Sequence, residues 1–450
     1  MNEFENKKIG IVGFGRSGQN VAKILKARGA EVFVSENKNM NKDQLKIIAD
    51  YNLDYEIGHS DKLLSNEIIV ISPGVDNNID IIKKAKLLKI PIFSEIEIAS
   101  RFLKNKIIAI TGTNGKSTTA FLTYQLLKMN GKKAYLGGNI SPGKSLSEIV
   151  IENPPKEAII VVEISSFQLE NISKFSPNIG MITSISDDHL DRYNSFQEYL
   201  NTKVKLLKSV KKDGYKILNY DNQFLKGQLD NNTFFVSIKE EIENGGYLKD
   251  DKIFLKIYGN ELIYDTQKFN LVGIHNKQNL IFALLSTFLI SEKEIKIKSE
   301  DLSQLKGMEH RLEFVGEIKN KKIYNNSMCT NPEAFKVSVE SLGQEQIVIV
   351  GGRNKNFDIE TIVETIKDYA QSVVIIGEVK DLLKEKLLQK GYNKFYLANS
   401  LDEAIKISLE IPEGKIVNFS PGFSSFDMFK DFVDRGNKFK EIVKKYERPI

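Results

Sequence analysis

Short apolar runs alternate along this chain with longer segments whose apolar residues recur every three or four positions. In residues 8–102, Lys8-Ile9-Gly10-Ile11-Val12, Glu31-Val32-Phe33-Val34 and Ile68-Ile69-Val70-Ile71 read as strands. A helical pattern over 18–28 separates the first two. Apolar runs of this kind, joined through helices, suit strands covered on both faces of a parallel sheet. The pattern restarts at Lys106, with strands expected over 107–110, 158–163 and 179–183 and a helix from Thr119 to about Met129. Residues 214–272 read as short strands and turns, and a helix follows from about Asn276. Beyond Gly307, residues 346–350, 372–376 and 415–419 read as buried strands. A terminal helix is expected from about Ser425 to Tyr446, with Asp427 near its start and lysines crowding its end, as the helix dipole favours. The expected fold is α/β, with three consecutive domains that each hold a mainly parallel sheet. The domains span 1–103 (Rossmann-like), 104–306 and 307–450 (again Rossmann-like). No repeat of fixed period interrupts this order.

Composition narrows the class. A chain of 450 residues calls for two to four domains. Charged residues make up 27% and hydrophobic ones 41%, an ordinary soluble balance. The net charge is only +5 and the lysines are scattered among acids, so no nucleic-acid face is expected. A single cysteine, Cys329, excludes an internal disulfide and fits a reducing compartment. The first residues lack a signal peptide's apolar core, and no apolar run approaches the ~20 residues of a membrane span. A cytoplasmic monomer with no membrane partner is expected.

The strongest chemical signal is Gly112-Thr113-Asn114-Gly115-Lys116-Ser117-Thr118, between a strand and a helix. Such a loop turns backbone N–H groups and a helix N-terminus toward phosphate oxygens. Its lysine reaches the outer phosphates and its serine can hold Mg²⁺. A second glycine loop, Gly13-Phe14-Gly15-Arg16-Ser17-Gly18, matches the dinucleotide fingerprint, with Glu36 further on. Alone it suggests NAD and an oxidoreductase. The triphosphate loop that follows argues instead for a diphosphate-bearing group such as a nucleotide sugar, with Ser72-Pro73-Gly74 as a second wall.

Five further places add chemistry. Glu163 ends an apolar strand, where an open parallel sheet faces its ligands, and suits Mg²⁺. The alternative is a helix-capping Glu-Ser-Ser turn. His189, one of four histidines, stands among Asp187, Asp188 and Asp191 after the next strand. Lys203 shares a helix face with Tyr199, Leu206, Leu207 and Val210. An ammonium there must snorkel, pair, or be converted to a carbamate by CO₂. Gly137-Gly138-Asn139-Ile140 would admit a ligand close to the backbone, and the asparagines of Gly273-Ile274-His275-Asn276-Lys277-Gln278-Asn279 suit either a helix cap or an adenine edge.

Together GTNGKST, GGNI, EISSFQLE, DDHLDRY, the lysine at 203, GIHNKQN and the GMEHR of 307–311 resemble the Mur ligase family. The order and spacing cover nearly the whole chain. The resemblance implies that ATP phosphorylates the carboxylate of UDP-N-acetylmuramoyl-L-alanine (UDP-MurNAc-L-alanine). The amine of D-glutamate then attacks the acyl phosphate, giving an amide, ADP and phosphate. It implies an ATP site of Gly112, Thr113, Asn114, Gly115, Lys116, Ser117, Thr118, Asn276, Asn279, Arg311 and Asn326. Lys116, Glu163, His189 and Lys203 would be catalytic. Ser117 and Glu163 would hold one Mg²⁺, and His189 with carbamylated Lys203 a second. Gly15, Arg16, Ser17, Glu36, Ser72, Pro73, Gly74 and Asn139 would bind the UDP substrate. Thr330, Lys355, Ser425 and Phe432 would bind the amino acid. The family's usual Asp-Ser-Lys-Ala-Thr-Asn is here Asn326-Ser327-Met328-Cys329-Thr330-Asn331, which leaves L-glutamate or another amino acid as the alternative amine. Ser141 also replaces a glycine usual after GGNI.

Overall fold

The computed structural model describes residues 3–140, 143–186, 193, 195–227, 232–292, 294–355 and 357–447. The chain divides into two compact units, Met1–Phe269 with His275–Leu305, and Asn270–Ile274 with Lys306–Ile450. The first unit holds two sheets and the second one, and the α/β class with mainly parallel strands is the one observed.

The first sheet has five parallel strands in the spatial order Asp54–Ile57, Glu31–Glu36, Lys8–Val12, Ile68–Ile71, Ile92–Ser94. The chain reverses its direction of travel across the sheet between Lys8–Val12 and Ile68–Ile71. Loops 13–17 and 72–74 leave those two strands at the same end, which is where an open α/β sheet forms its crevice.

The second sheet has nine strands. At its centre Lys106–Thr111 lies between Ile159–Glu163 and Ile179–Ile182, all parallel, so the loop at 112–115, Glu163 and Thr183 emerge side by side. Ala134–Gly138 forms one edge. Tyr215–Asn219, Thr233–Ser237 and Gly245–Lys249 extend the other side in parallel, and Lys252–Ile257 and Asn260–Asp265 add two antiparallel strands. The antiparallel strands turn through two-residue loops, Asp250-Asp251 and Tyr258-Gly259, with φ positive at all four residues. That is the twist a tight hairpin requires.

The third sheet runs Glu313–Ile318, Lys321–Asn325, Ile416–Gly422, Gln346–Gly351, Ala370–Ile376, Phe395–Leu397, parallel except for the first hairpin. Two apolar layers cover its faces, one around Phe335, Val350 and Ile375, the other around Ile349, Phe419 and Phe439.

All four expected helices differ in their bounds, the first being Arg16–Ala27 where 18–28 is expected. The helix after the phosphate loop is Lys116–Met129, so Lys116 and Ser117 are in its first turn. The apolar helix is Ile274–Ile290. The terminal helix starts at Phe432, not near Ser425, and ends at Glu447. Asp427 therefore lies outside it, accepting from Glu378 N at 3.1 Å, while Asp434 occupies the first turn.

Candidate active site

The phosphate loop is tightly built. Gly112 has φ +150° and Gly115 φ +84°, and a Cβ at either would meet Thr183 Oγ1 at 2.2 Å or Asn279 Oδ1 at 2.6 Å. Both positions therefore demand glycine. Thr113 N donates to Ser184 O at 2.8 Å and Asn114 N to Ser184 Oγ at 2.8 Å, which ties the loop to the strand end beside it. Lys116 Nζ donates to Thr113 O at 2.8 Å, folding the lysine back over the loop. Ser117 and Thr118 are nearly buried in the first helical turn. Asn279 sits beneath the loop, accepting from Thr119 Oγ1 at 3.2 Å and donating to Asn276 Oδ1 at 3.3 Å. Its visible work is to brace the loop from below, and Asn276 supports it.

Glu163 is 3% exposed, and its Oε2 has no hydrogen-bond partner among the described residues. Oε1 lies 3.5 Å from Asn139 Nδ2. The capping alternative for this segment falls to its neighbours: Ser165 accepts from Gln168 N while Gln168 Oε1 accepts from Ser165 N. A buried, unpartnered carboxylate oxygen beside a phosphate loop fits a hard divalent cation. Among the described residues no three His, Cys, Asp or Glu side chains converge. His189, Asp187, Asp188 and Asp191 lie outside the described residues, as does Ser141. The glycines at 137 and 138 admit protein backbone: a Cβ on Gly138 would lie 2.1 Å from Glu163 O. They seat Asn139 N against that carbonyl at 2.8 Å.

Lys203, on the helix Phe196–Ser209, is 2% exposed. It does not snorkel. Its Nζ turns inward, donating to Gly112 O at 2.9 Å and lying 4.7 Å from the centre of the Tyr199 ring.

In the first sheet the three glycines of the 13–18 loop divide the work. Gly13 takes the turn at φ +84°, and a Cβ on Gly18 would lie 2.2 Å from Gly13 O, so Gly18 lets the helix pack. Gly15 has nothing within 4 Å of its Cβ position, and Arg16 beside it is exposed. Room and a cation at a helix start suit a phosphate group. Glu36 closes the loop, accepting from Phe14 N at 2.6 Å and from Asn37 N at 2.8 Å. Ser72 Oγ donates to Gly13 O at 2.7 Å, joining the two loops. Ser17 is half-buried, and Pro73 lines a small pocket with Ser72, Phe167 and Gln168.

In the second unit Asn326 is buried, accepting from Leu312 N at 3.2 Å and donating to Ser420 Oγ at 3.1 Å. Arg311 Nη2 lies 3.5 Å from Met328 Sδ, a contact that the family's lysine would oppose by charge. Thr330 is half-buried, Ser425 is 2% exposed, and Lys355 lies 5.4 Å from the Phe426 ring centre. Phe432 opens the terminal helix, its carbonyl accepting from Ser327 Oγ at 2.8 Å.

Three family models match in order: the MurD N-terminal domain at residues 8–81, the Mur ligase middle domain at 110–287, and the Mur ligase glutamate ligase domain at 310–423. The UDP-N-acetylmuramoylalanine--D-glutamate ligase of Geotalea daltonii is 35% identical over 450 residues, covering 98% of each chain. The chain belongs to the Mur ligase family. The protein of that same name from Thermoanaerobacter sp. strain X514 is 36% identical, covering 99% of this chain and all of its own. Among solved structures, the UDP-N-acetylmuramate-alanine ligase MurC of Thermotoga maritima shares the fold at TM-score 0.57 and 19% identity, covering 98% of this chain and 99% of its own. The MurF ligase of Thermotoga maritima in complex with ADP does so at 0.56 and 17%, covering 99% and 96%. Mur ligases are ATP-dependent, and this chain is an enzyme of that class.

One residue beside these loops escaped the sequence reading. Arg435 is 1% exposed, and its guanidinium donates to Ser327 O at 2.9 Å, Ser327 Oγ at 3.1 Å and Phe423 O at 3.0 Å. It clasps the segment carrying Thr330 to the segment carrying Ser425. Burial pushes its pKa down to about 10. The spacing Asp431-x-x-Asp434, a helix-cap pattern, was the available signal that a buried helix face begins here.

Proposed function

We propose that the protein joins D-glutamate to UDP-MurNAc-L-alanine with hydrolysis of ATP to ADP and phosphate. The observation that carries this is the convergence of the phosphate loop, the unpartnered Glu163 oxygen and the buried Lys203 amine at the centre of one sheet. The crevice of the neighbouring sheet supplies the second anion site that a nucleotide-linked carboxylate donor needs.

Backbone N–H groups of residues 115–118 hold the β- and γ-phosphates, and Lys116 exchanges its bond to Thr113 O for phosphate oxygens. Within the first unit Asn276 and Asn279 complete the nucleotide site, with Asn279 acting through the loop it braces. Ser117 and Glu163 would hold one Mg²⁺, and His189 with carbamylated Lys203 a second. Bound there, the cations neutralise charge on the transferring phosphoryl group. Gly15, Arg16, Ser17, Glu36, Ser72, Pro73 and Gly74 form the diphosphate and uridine pocket, and Asn139 positions the sugar end. The donor carboxylate attacks the γ-phosphorus, ADP leaves, and the glutamate amine displaces phosphate from the acyl carbon. Thr330, Lys355, Ser425 and Phe432 hold the glutamate, in a third domain starting near residue 307.

Met328 replaces a cation of the family motif, so the identity of the amine is the point to test. ADP release is measured with UDP-MurNAc-L-alanine and a panel of amino acids. D-Glutamate supports turnover and L-glutamate does not; the reverse result overturns the assignment and installs the L-glutamate alternative.

A further inference from the structure

A chain of side chains runs from the 72–77 loop of the first sheet to the phosphate loop of the second. Glu170 stands at its middle. Its Oε2 accepts from Asn77 Nδ2, and its Oε1 accepts from Tyr193 OH at 2.7 Å. Asn171 Nδ2 donates to Asn77 Oδ1 at 3.2 Å. The Tyr193 ring tilts against Tyr199 at 5.4 Å, and Tyr199 OH lies 3.0 Å from Thr113 Oγ1 in the phosphate loop. Asn77 is 8% exposed, Tyr193 6% and Tyr199 0%, while Glu170 between them is half-buried. Asn77 and Asn171 also line the small pocket that Ser72, Pro73, Phe167 and Gln168 enclose.

We propose that Glu170 is a positioning residue, with one carboxylate oxygen holding the substrate loop and the other holding the Tyr193–Tyr199–Thr113 side. The inference rests on the ligase reading, and it fixes how the donor carboxylate held by one sheet meets the γ-phosphate held by the other. In-line transfer needs reacting atoms within about 3–3.5 Å, and a shift of ~1 Å costs ~100-fold. A carboxylate suits the task because it accepts on both oxygens at once. Glutamine at 170 keeps the size but has a single acceptor, so Asn77 Nδ2 and Tyr193 OH can no longer both donate to it.

The experiment compares Asn77→Ala, Tyr193→Phe and the double variant, in the native and Glu170→Gln backgrounds. Turnover of UDP-MurNAc-L-alanine with D-glutamate is followed by ADP release. Each single variant lowers kcat at least ~10-fold with KM for ATP within ~2-fold, because the phosphate loop keeps its own contacts. The double variant is no worse than the poorer single one, because either cut breaks the same tie. In Glu170→Gln the further effect of Asn77→Ala disappears. Mere structural filling gives multiplied effects, or a lowered Tm with unchanged kcat, and either result overturns the proposal. A native chain that releases no ADP with this donor counts against the ligase reading instead. The tie is then read by calorimetric titration: bound UDP changes AMP-PNP affinity in the native chain and not in Glu170→Gln, and equal behaviour of the two overturns it.

Discussion

Lys203 is surrounded by protein on a helix face it shares with Tyr199 and Leu206, and its Nζ reaches the carbonyl of Gly112. Holding an ammonium there sacrifices hydration worth several kcal/mol, which the Gly112 carbonyl, Thr111 Oγ1 at 3.5 Å and the Tyr199 ring offset. The proposed reaction with CO₂ would convert the cation into an anion able to serve a metal beside the phosphate loop. Lys203→Ala is expected to lower kcat by ~100-fold or more, and millimolar formate or acetate to restore part of it. Lys203→Arg is expected to stay inactive under the same additives. Activity within twofold of native in Lys203→Ala would remove the carbamate from the mechanism. The sequence disclosed this residue because an isolated lysine on an apolar face is anomalous. The phosphate loop was legible for a different reason: its work is done by backbone, and Gly112 and Gly115 are written where a Cβ would collide. Glu163 was ambiguous until Ser165 and Gln168 were seen to cap the following helix between themselves. Around Arg435 the only local signal is the Asp431-x-x-Asp434 cap, which does not point to its partners Ser327 and Phe423.

Between the first two sheets, one short helix carries much of the join. Glu97 on Glu95–Ser100 is 0% exposed, and its carboxylate accepts from Ser173 N at 2.7 Å, Lys174 N at 2.9 Å and Phe175 N at 2.9 Å. Arg101 closes the set at 2.6 Å, and also reaches Glu3. Three backbone N–H groups and a guanidinium lose their acceptor together in Glu97→Ala. Breaking a buried pair of this kind costs about 3–5 kcal/mol. Thermal unfolding should therefore show a clear fall in Tm for Glu97→Ala, and a smaller one for Glu97→Gln, which keeps one acceptor; an unchanged Tm in Glu97→Ala would refute the role. Only Arg101, four residues on, is a local partner of Glu97; its three backbone partners lie more than seventy positions away, so no sequence pattern reveals the join. Strands were legible where they are apolar on both faces, as at Gln346–Gly351. Short edge strands such as Asp54–Ile57 and Phe395–Leu397 were not, because they carry too few buried residues to show a period. The terminal helix was extended too far back because Asp427-Met428-Phe429 is acceptable helix sequence. Tertiary bonds decide otherwise: Asp427 turns to Glu378 N, and Asp431 accepts from Asp434 N at 2.8 Å at the true start.

Over the whole molecule, two units with separate cores should unfold in two calorimetric transitions. Ligand linkage assigns them: with UDP in the proposed crevice of the first sheet, saturating UDP should raise only the first unit's transition. Protons provide a second label. In the second unit His310 is buried, with Asn325 Nδ2 3.0 Å from its Nδ1. Burial holds its imidazole below the ordinary 6.5, Lys440 adds to the effect, and Glu313, Glu309 and Asp431 oppose it. In the first unit burial lowers His275 as well. Each ring is neutral when folded, and the unfolded chain takes up the proton first as pH falls below 6.5. The stabilisation is therefore complete above pH 6.5 and declines from there toward the lowered native pKa. Both transitions should move to lower temperature between pH 7.5 and 5.5. Glutamine at either position cannot titrate, so His310→Gln should flatten that dependence in the second unit's transition alone, and His275→Gln in the first unit's alone. Loss of the dependence in both transitions from a single substitution would show that the two units unfold as one, and the division into separate cores would fail with it.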